Sequence, residues 1–178
     1  MHFATLRIMV FTLLLGLAGQ AGAETLDEIL APVAGTSACW QRVYPDTHLA
    51  DHPRQKVTSV RFSLAYHEMD HHKSGEGEYN FAVDIETRER SGSVVGLCHA
   101  DSQGRIICGG ECDAGVLSLR RSGSQGSLLL TLESSALSLT ECGSDLSFRL
   151  SAKPDDEKFL VHPAACVDDL PNSDAAGN

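Results

Sequence analysis

The chain has 178 residues, a net charge of −10 and six cysteines. That length fits about one domain of ~100–200 residues. The 24 acidic side chains outnumber the 14 basic ones, which excludes a phosphate-backbone binder, because such binding needs clustered cations that release counterions. The same balance speaks against docking on anionic lipid, and 42% hydrophobic residues is the level of a globular chain.

Residues 1–23 read as a secretory signal peptide. Arg7 supplies the positive start, residues 8–17 form the apolar run, and Ala21-Gly22-Ala23 is a small-x-small cleavage site. The run is shorter than the ~20 residues that cross a bilayer. No other stretch is long and apolar enough, so no membrane span is expected after cleavage, and the expected location is periplasmic or secreted. Cys39, Cys98, Cys108, Cys112, Cys142 and Cys166 all follow the leader. An even count in an exported chain implies disulfides, and six cysteines allow 15 pairings. Cys98 and Cys108 lie symmetrically about Gln103 in the polar turn 100–104. A hairpin there would set them opposite each other. Cys39 with Cys166 would then tie the ends, leaving Cys112 with Cys142. The alternative is a metal site from Cys108-x3-Cys112, which lacks further ligands at tight spacing.

Residues 24–56 are expected to form an N-terminal helix and loop segment. Thr25-Leu26-Asp27-Glu28 is a capping box, and Leu26, Ile29, Leu30 and Val33 follow at helical spacing. A second helical turn is expected over 46–51, with Asp46 as its cap. From residue 57 to 166 the period changes to two. Val60, Phe62, Leu64 and Tyr66 alternate with polar or small residues, as do Tyr79, Phe81, Val83 and Ile85. Shorter strands are expected at 94–99, 105–109, 116–121, 127–133, 136–141, 146–151 and 158–162, separated by Gly, Ser, Asp and Pro turns. The fold expected is all-β: nine strands in an antiparallel meander closing into a small β-barrel, with a β-sandwich as the alternative. Residues 167–178 are small and acidic and are expected to be disordered.

One local cluster offers chemistry. His67-Glu68-Met69-Asp70-His71 satisfies H-E-x-x-H, and His72 follows. On a helix the two histidines share a face and can reach one zinc, while the glutamate activates water. The preceding alternation predicts a strand instead, and on a strand residues four apart are separated by about 13 Å. A softer expectation is that His67, Met69, His71 and His72 hold zinc or copper at the end of a strand, since imidazole and thioether suit copper and imidazole with carboxylate suits zinc. A solvated, histidine-rich loop is the plainer alternative. His48 and His52 read as a polar surface turn, and Arg42, Arg54 and Lys56 as a small basic patch. There is no G-x-S-x-G elbow and no P-loop. Trp40, beside Cys39, reads as core packing.

Cys39-Trp40-Gln41-Arg42-Val43-Tyr44, His48-Leu49, His52-Pro53, Gln55 and Val57-Thr58, with Cys98, Cys108-x3-Cys112 and Cys142-Gly143, resemble a group of small secreted bacterial proteins of unknown function. The strand pattern is similar in outline to eight-stranded calycin-like barrels, including periplasmic inhibitor proteins. These resemblances imply export and a cysteine framework, and no particular activity. The function expected is a non-catalytic binding module for a protein partner or a small ligand, needing no cofactor. A metal-binding protein or zinc-dependent hydrolase built on residues 67–72 is the alternative. A large internal cavity would favour a ligand; a filled barrel would favour a protein.

Overall fold

The structure is a computed structural model that describes residues 24–68, 77–123, 125–140 and 146–166. The expected signal peptide, the expected acidic tail, Met69, His71, His72 and Cys142 lie outside the described residues.

Among the described residues ten strands form: β1 (Ser37–Val43), β2 (Val57–Glu68), β3 (Gly77–Thr87), β4 (Ser91–Ala100), β5 (Ile106–Gly110), β6 (Val116–Ser122), β7 (Ser127–Leu132), β8 (Ala136–Thr140), β9 (Ser147–Ser151) and β10 (Lys158–Ala164). Eight of them, β1 to β7 and β10, close into an antiparallel barrel, because β3 pairs with β4 as well as with β2. Closure removes every edge in that ring. Between β7 and β10 the chain makes the β8–β9 hairpin, which joins the sheet where Ser93 of β4 faces Thr140. The barrel is therefore the architecture adopted, and the sandwich is not.

The segment 24–56 departs from its expected form, because it contains β1. This strand pairs with β2 from Ser37↔Ala65 to Val43↔Ser59 and with β10 from Cys39↔Ala164 to Gln41↔His162, so it completes the ring. Its neighbours Cys39 and Trp40 are both buried, and only partial burial follows. The period of two that reveals β2 is therefore missing from it.

Inward-facing side chains fill the barrel. Phe62, Leu64, Val83, Ile85, Ile106, Leu117, Leu128, Leu130, Phe159 and Val161 are at most 2% exposed and belong to one contiguous cluster. Gly96 makes room for Phe81: a Cβ on Gly96 would lie 2.9 Å from the Phe81 ring and collide with the Gly109 carbonyl oxygen. The Cys98–Cys108 bond also points inward, with both residues buried.

Both mouths are covered. The first lies at the starts of β1, β3, β5 and β7. Across it runs α1 (Leu26–Ile29), a shorter helix than the apolar spacing predicts. Leu26 and Leu30 are buried beneath it, while Val33 is 57% exposed and takes no part. The Thr25 amide donates to Glu28 Oε2 at 3.3 Å, one half of the capping box. At the second mouth sit α2 (Asp46–Asp51), with Leu49 buried, and the β8–β9 hairpin, with Leu137, Leu139 and Leu150 buried. The cap of α2 is Pro45 rather than Asp46, so the helix begins at Asp46, one residue earlier than a cap at Asp46 would allow.

Candidate functional site

At the first mouth the chain is tied down by chemistry from several strands. The Arg121 amide donates to Glu24 Oε2 at 2.7 Å, and its guanidinium lies 3.3 Å from Glu24 Oε1. The Tyr79 hydroxyl lies 2.8 Å from Asp27 Oδ1 and 2.9 Å from the Leu30 carbonyl oxygen. Burial, then the hydrogen bond to Asp27, pushes the Tyr79 phenol well above its ordinary pKa, so it stays a neutral donor. Cys39–Cys166 joins the start of β1 to the second residue after β10, and Cys98–Cys108 joins β4 to β5. The turn between β4 and β5 is built on Asp101, whose carboxylate accepts from the Gln103 amide at 2.8 Å, the Arg105 amide at 2.9 Å and the Arg105 guanidinium at 2.8 Å. These donors, the Arg105 amide foremost, hold the Asp101 carboxyl below the usual carboxylate range.

Beside this mouth is an open cleft of about 590 Å³, lined by Ile29, Trp40, Arg121, Gly126, Pro163 and the Cys39–Cys166 bond. Trp40 is core, as its apolar ring predicts: it is 5% exposed and packs on Phe62 with ring centroids 5.8 Å apart. Its indole N–H donates to the Gly126 carbonyl at 2.8 Å, bracing the β6–β7 turn.

The histidine cluster is only partly within view. His67 and Glu68 are the last residues of β2, both exposed, paired in extended register with Glu78 and Gly77. The helical arrangement that lets H-E-x-x-H hold zinc is not what these two residues adopt. Among the described residues there is no group of three or more His, Cys, Asp or Glu side chains arranged to hold a metal ion.

His48 and His52 do come together, but in a column. The His52 and His48 rings stack with centroids 4.3 Å apart, His48 stacks on Tyr44 at 4.9 Å, and the Arg42 guanidinium lies over Tyr44 at 5.2 Å. Gln55, buried, donates from Nε2 to the Val57 carbonyl, so its Oε1 accepts from His48 Nε2 at 3.0 Å. That bond assigns the His48 tautomer. Stacked imidazoles share a face, whereas two zinc ligands must aim ring nitrogens at one point ~2 Å away. The column is a packed surface feature. Arg42 also reaches His162 Nε2 at 3.4 Å, while Arg54 pairs with Asp155. The expected basic patch is thus divided among separate partners.

The second mouth holds a group that the sequence did not single out. Asp156 is fully buried, and its carboxylate accepts from the amides of Lys56, at 3.0 and 3.2 Å, and Val57, at 3.1 Å. Beside it the Arg88 guanidinium donates to the carbonyls of Gln55 at 2.9 Å and Leu49 at 2.8 Å. In the sequence Pro154-Asp155-Asp156 reads as a turn, and no local signal separates the buried aspartate from the exposed one. Cys112, in the turn after β5, is exposed and forms no disulfide among the described residues, and its backbone sits at φ 52°.

No protein-family model, characterised protein or solved structure matches the chain. The likenesses read from residues 39–58 and from the cysteine spacing therefore bring no activity with them.

Proposed function

We propose that the protein is an exported, non-catalytic binding module that takes a protein partner on its outer surface, in the manner of an inhibitor or accessory subunit. The observation that carries this reading is the filled barrel. Small-ligand barrels keep an empty lumen with an accessible mouth. Here Phe62, Leu64, Leu130, Phe159 and Val161 occupy the lumen. One mouth is crossed by α1 and the other by α2 and the β8–β9 hairpin. The two disulfides among the described residues support an oxidising compartment, periplasmic or extracellular. Cys112 with Cys142 as a third bond belongs to the same proposal.

The test begins by using the exported chain as bait under cross-linking in its native envelope or medium. The recovered protein is then purified and its complex reconstituted. The expected result is a defined stoichiometric complex with a saturable Kd. Absence of any reconstituted complex, together with tight one-to-one uptake of a small apolar ligand, overturns the reading. Sequencing of the exported chain should find Glu24 at its start.

A further inference from the structure

We propose that the outer edge of β9 is a docking site for an extended, acidic segment of the partner protein, which adds to the sheet as a further strand. This rests on the protein-partner reading and names the surface and the chemistry of the partner.

The register shows what the edge displays. The Ser138 amide donates to the Ala114 carbonyl at 2.7 Å, so it points away from β9. Ser138 faces Arg149, which makes this a non-hydrogen-bonded pair of the antiparallel ladder. The Ala152 amide donates to the Ser135 carbonyl, which fits the same alternation. By that parity the N–H and C=O groups of Ser147, Arg149 and Ser151 all point away from β8. Among the described residues, sheet order ends at β9, and no backbone hydrogen bond outside the ladder reaches these three. The described residues leave no edge in the eight-stranded ring and one edge here. Five residues of edge with a central charge are short and guarded enough to resist indiscriminate pairing.

Side chains define the occupant. Phe148 is half-buried, and Leu150 and Ala152 are buried on the barrel side. Ser147 and Arg149 are exposed on the other. A strand laid alongside would therefore alternate, apolar toward the barrel and acidic beside Arg149. The Arg90 guanidinium lies 5.1 Å over the Phe148 ring, so the exposed charge offered to the added strand is that of Arg149, on a chain whose net charge is −10. A second copy is the poorer occupant. Symmetric pairing of two β9 edges about Arg149 would oppose like charges, and each copy carries the same net negative charge.

The experiment uses the full exported chain, isotope-labelled, and a capped nine-residue peptide alternating valine and glutamate. Backbone resonances and amide exchange are followed during titration. Saturable binding with slowed exchange at Ser147, Arg149 and Ser151 is expected. N-methylation of the peptide on the amides that face β9 should abolish it, and methylation of the alternate amides should not. Arg149→Glu should weaken binding at least about tenfold while leaving the fold intact. Arg149→Pro removes an amide that β8 does not use, and should abolish binding. Shifts confined to the Trp40 cleft, or no protection of the three amides at millimolar peptide, overturn the edge proposal. A natural partner complex indifferent to Arg149→Glu also overturns the edge proposal, yet leaves the protein-partner reading standing. A dimer of the protein alone that Arg149→Glu dissolves makes the edge a self-interface instead.

Discussion

The first mouth of the barrel is closed by covalent bonds and charged side-chain contacts, the second by a buried carboxylate, an arginine fork and apolar packing. Cys39–Cys166 and Cys98–Cys108 both lie at the first mouth, with the Glu24–Arg121 and Tyr79–Asp27 contacts. The second relies on Asp156, Arg88 and the leucines of the β8–β9 hairpin. The difference follows from where the chain begins and ends its sheet. Terminal strands β1 and β10 meet over only three registered pairs, so a bond at their junction constrains what hydrogen bonding holds weakly. The second mouth is spanned by continuous chain, and there buried backbone amides need an acceptor that the ladder does not supply.

That contrast can be broken selectively. Replacing Cys39 and Cys166 by Ala should have the largest effect: the bond closes a loop of 127 residues, and its loss should cost about 5 kcal/mol by chain entropy. Cys98–Cys108 spans only 10 residues, and its removal should cost about 3 kcal/mol. Urea unfolding with matched m-values measures both, and hydrogen exchange in the first variant should rise at β1 and β10 before β8 and β9. Asp156→Ala attacks the other mouth by orphaning the amides of Lys56 and Val57. It should cost about 3 kcal/mol, with Asp156→Asn milder because one acceptor oxygen remains. Gly96→Ala should cost about 2 kcal/mol by overpacking against Phe81 and the Gly109 carbonyl. The smallest effect concerns pH. The folded state holds the Asp101 carboxyl below its unfolded value, so its contribution is present above about pH 4 and fades as pH falls through the folded value. Asp101→Asn should flatten that part of the acid-unfolding curve.

Much of this architecture was legible because β2, β3 and β7 each bury one face and wet the other, which prints a period of two on the sequence. The Cys98–Cys108 pair was legible for a related reason: a symmetric spacing about the polar turn 100–104 fixes a hairpin register. Strand β1 was not, since its burial does not alternate. Nor was the buried role of Asp156, which depends on amides a hundred residues away. His48 and His52 read only as a polar surface turn, and it is the tertiary setting of Tyr44 and Gln55 that makes the pair a stack. The edge of β9 had no sequence signal, because a strand's pairing partners are not written in its own residues.

The most direct test of a sealed, filled barrel is a titration of the chain, labelled at its leucine and valine methyl groups, with dodecanoate. The methyls of Leu64, Val83, Leu130 and Val161 report on the lumen, separately from the Trp40 cleft. The account predicts no saturable shift of these resonances and an unchanged Tm. Saturable one-per-chain shifts at those four residues, with a Tm that climbs with ligand concentration, would contradict it and make the protein a carrier of small apolar molecules.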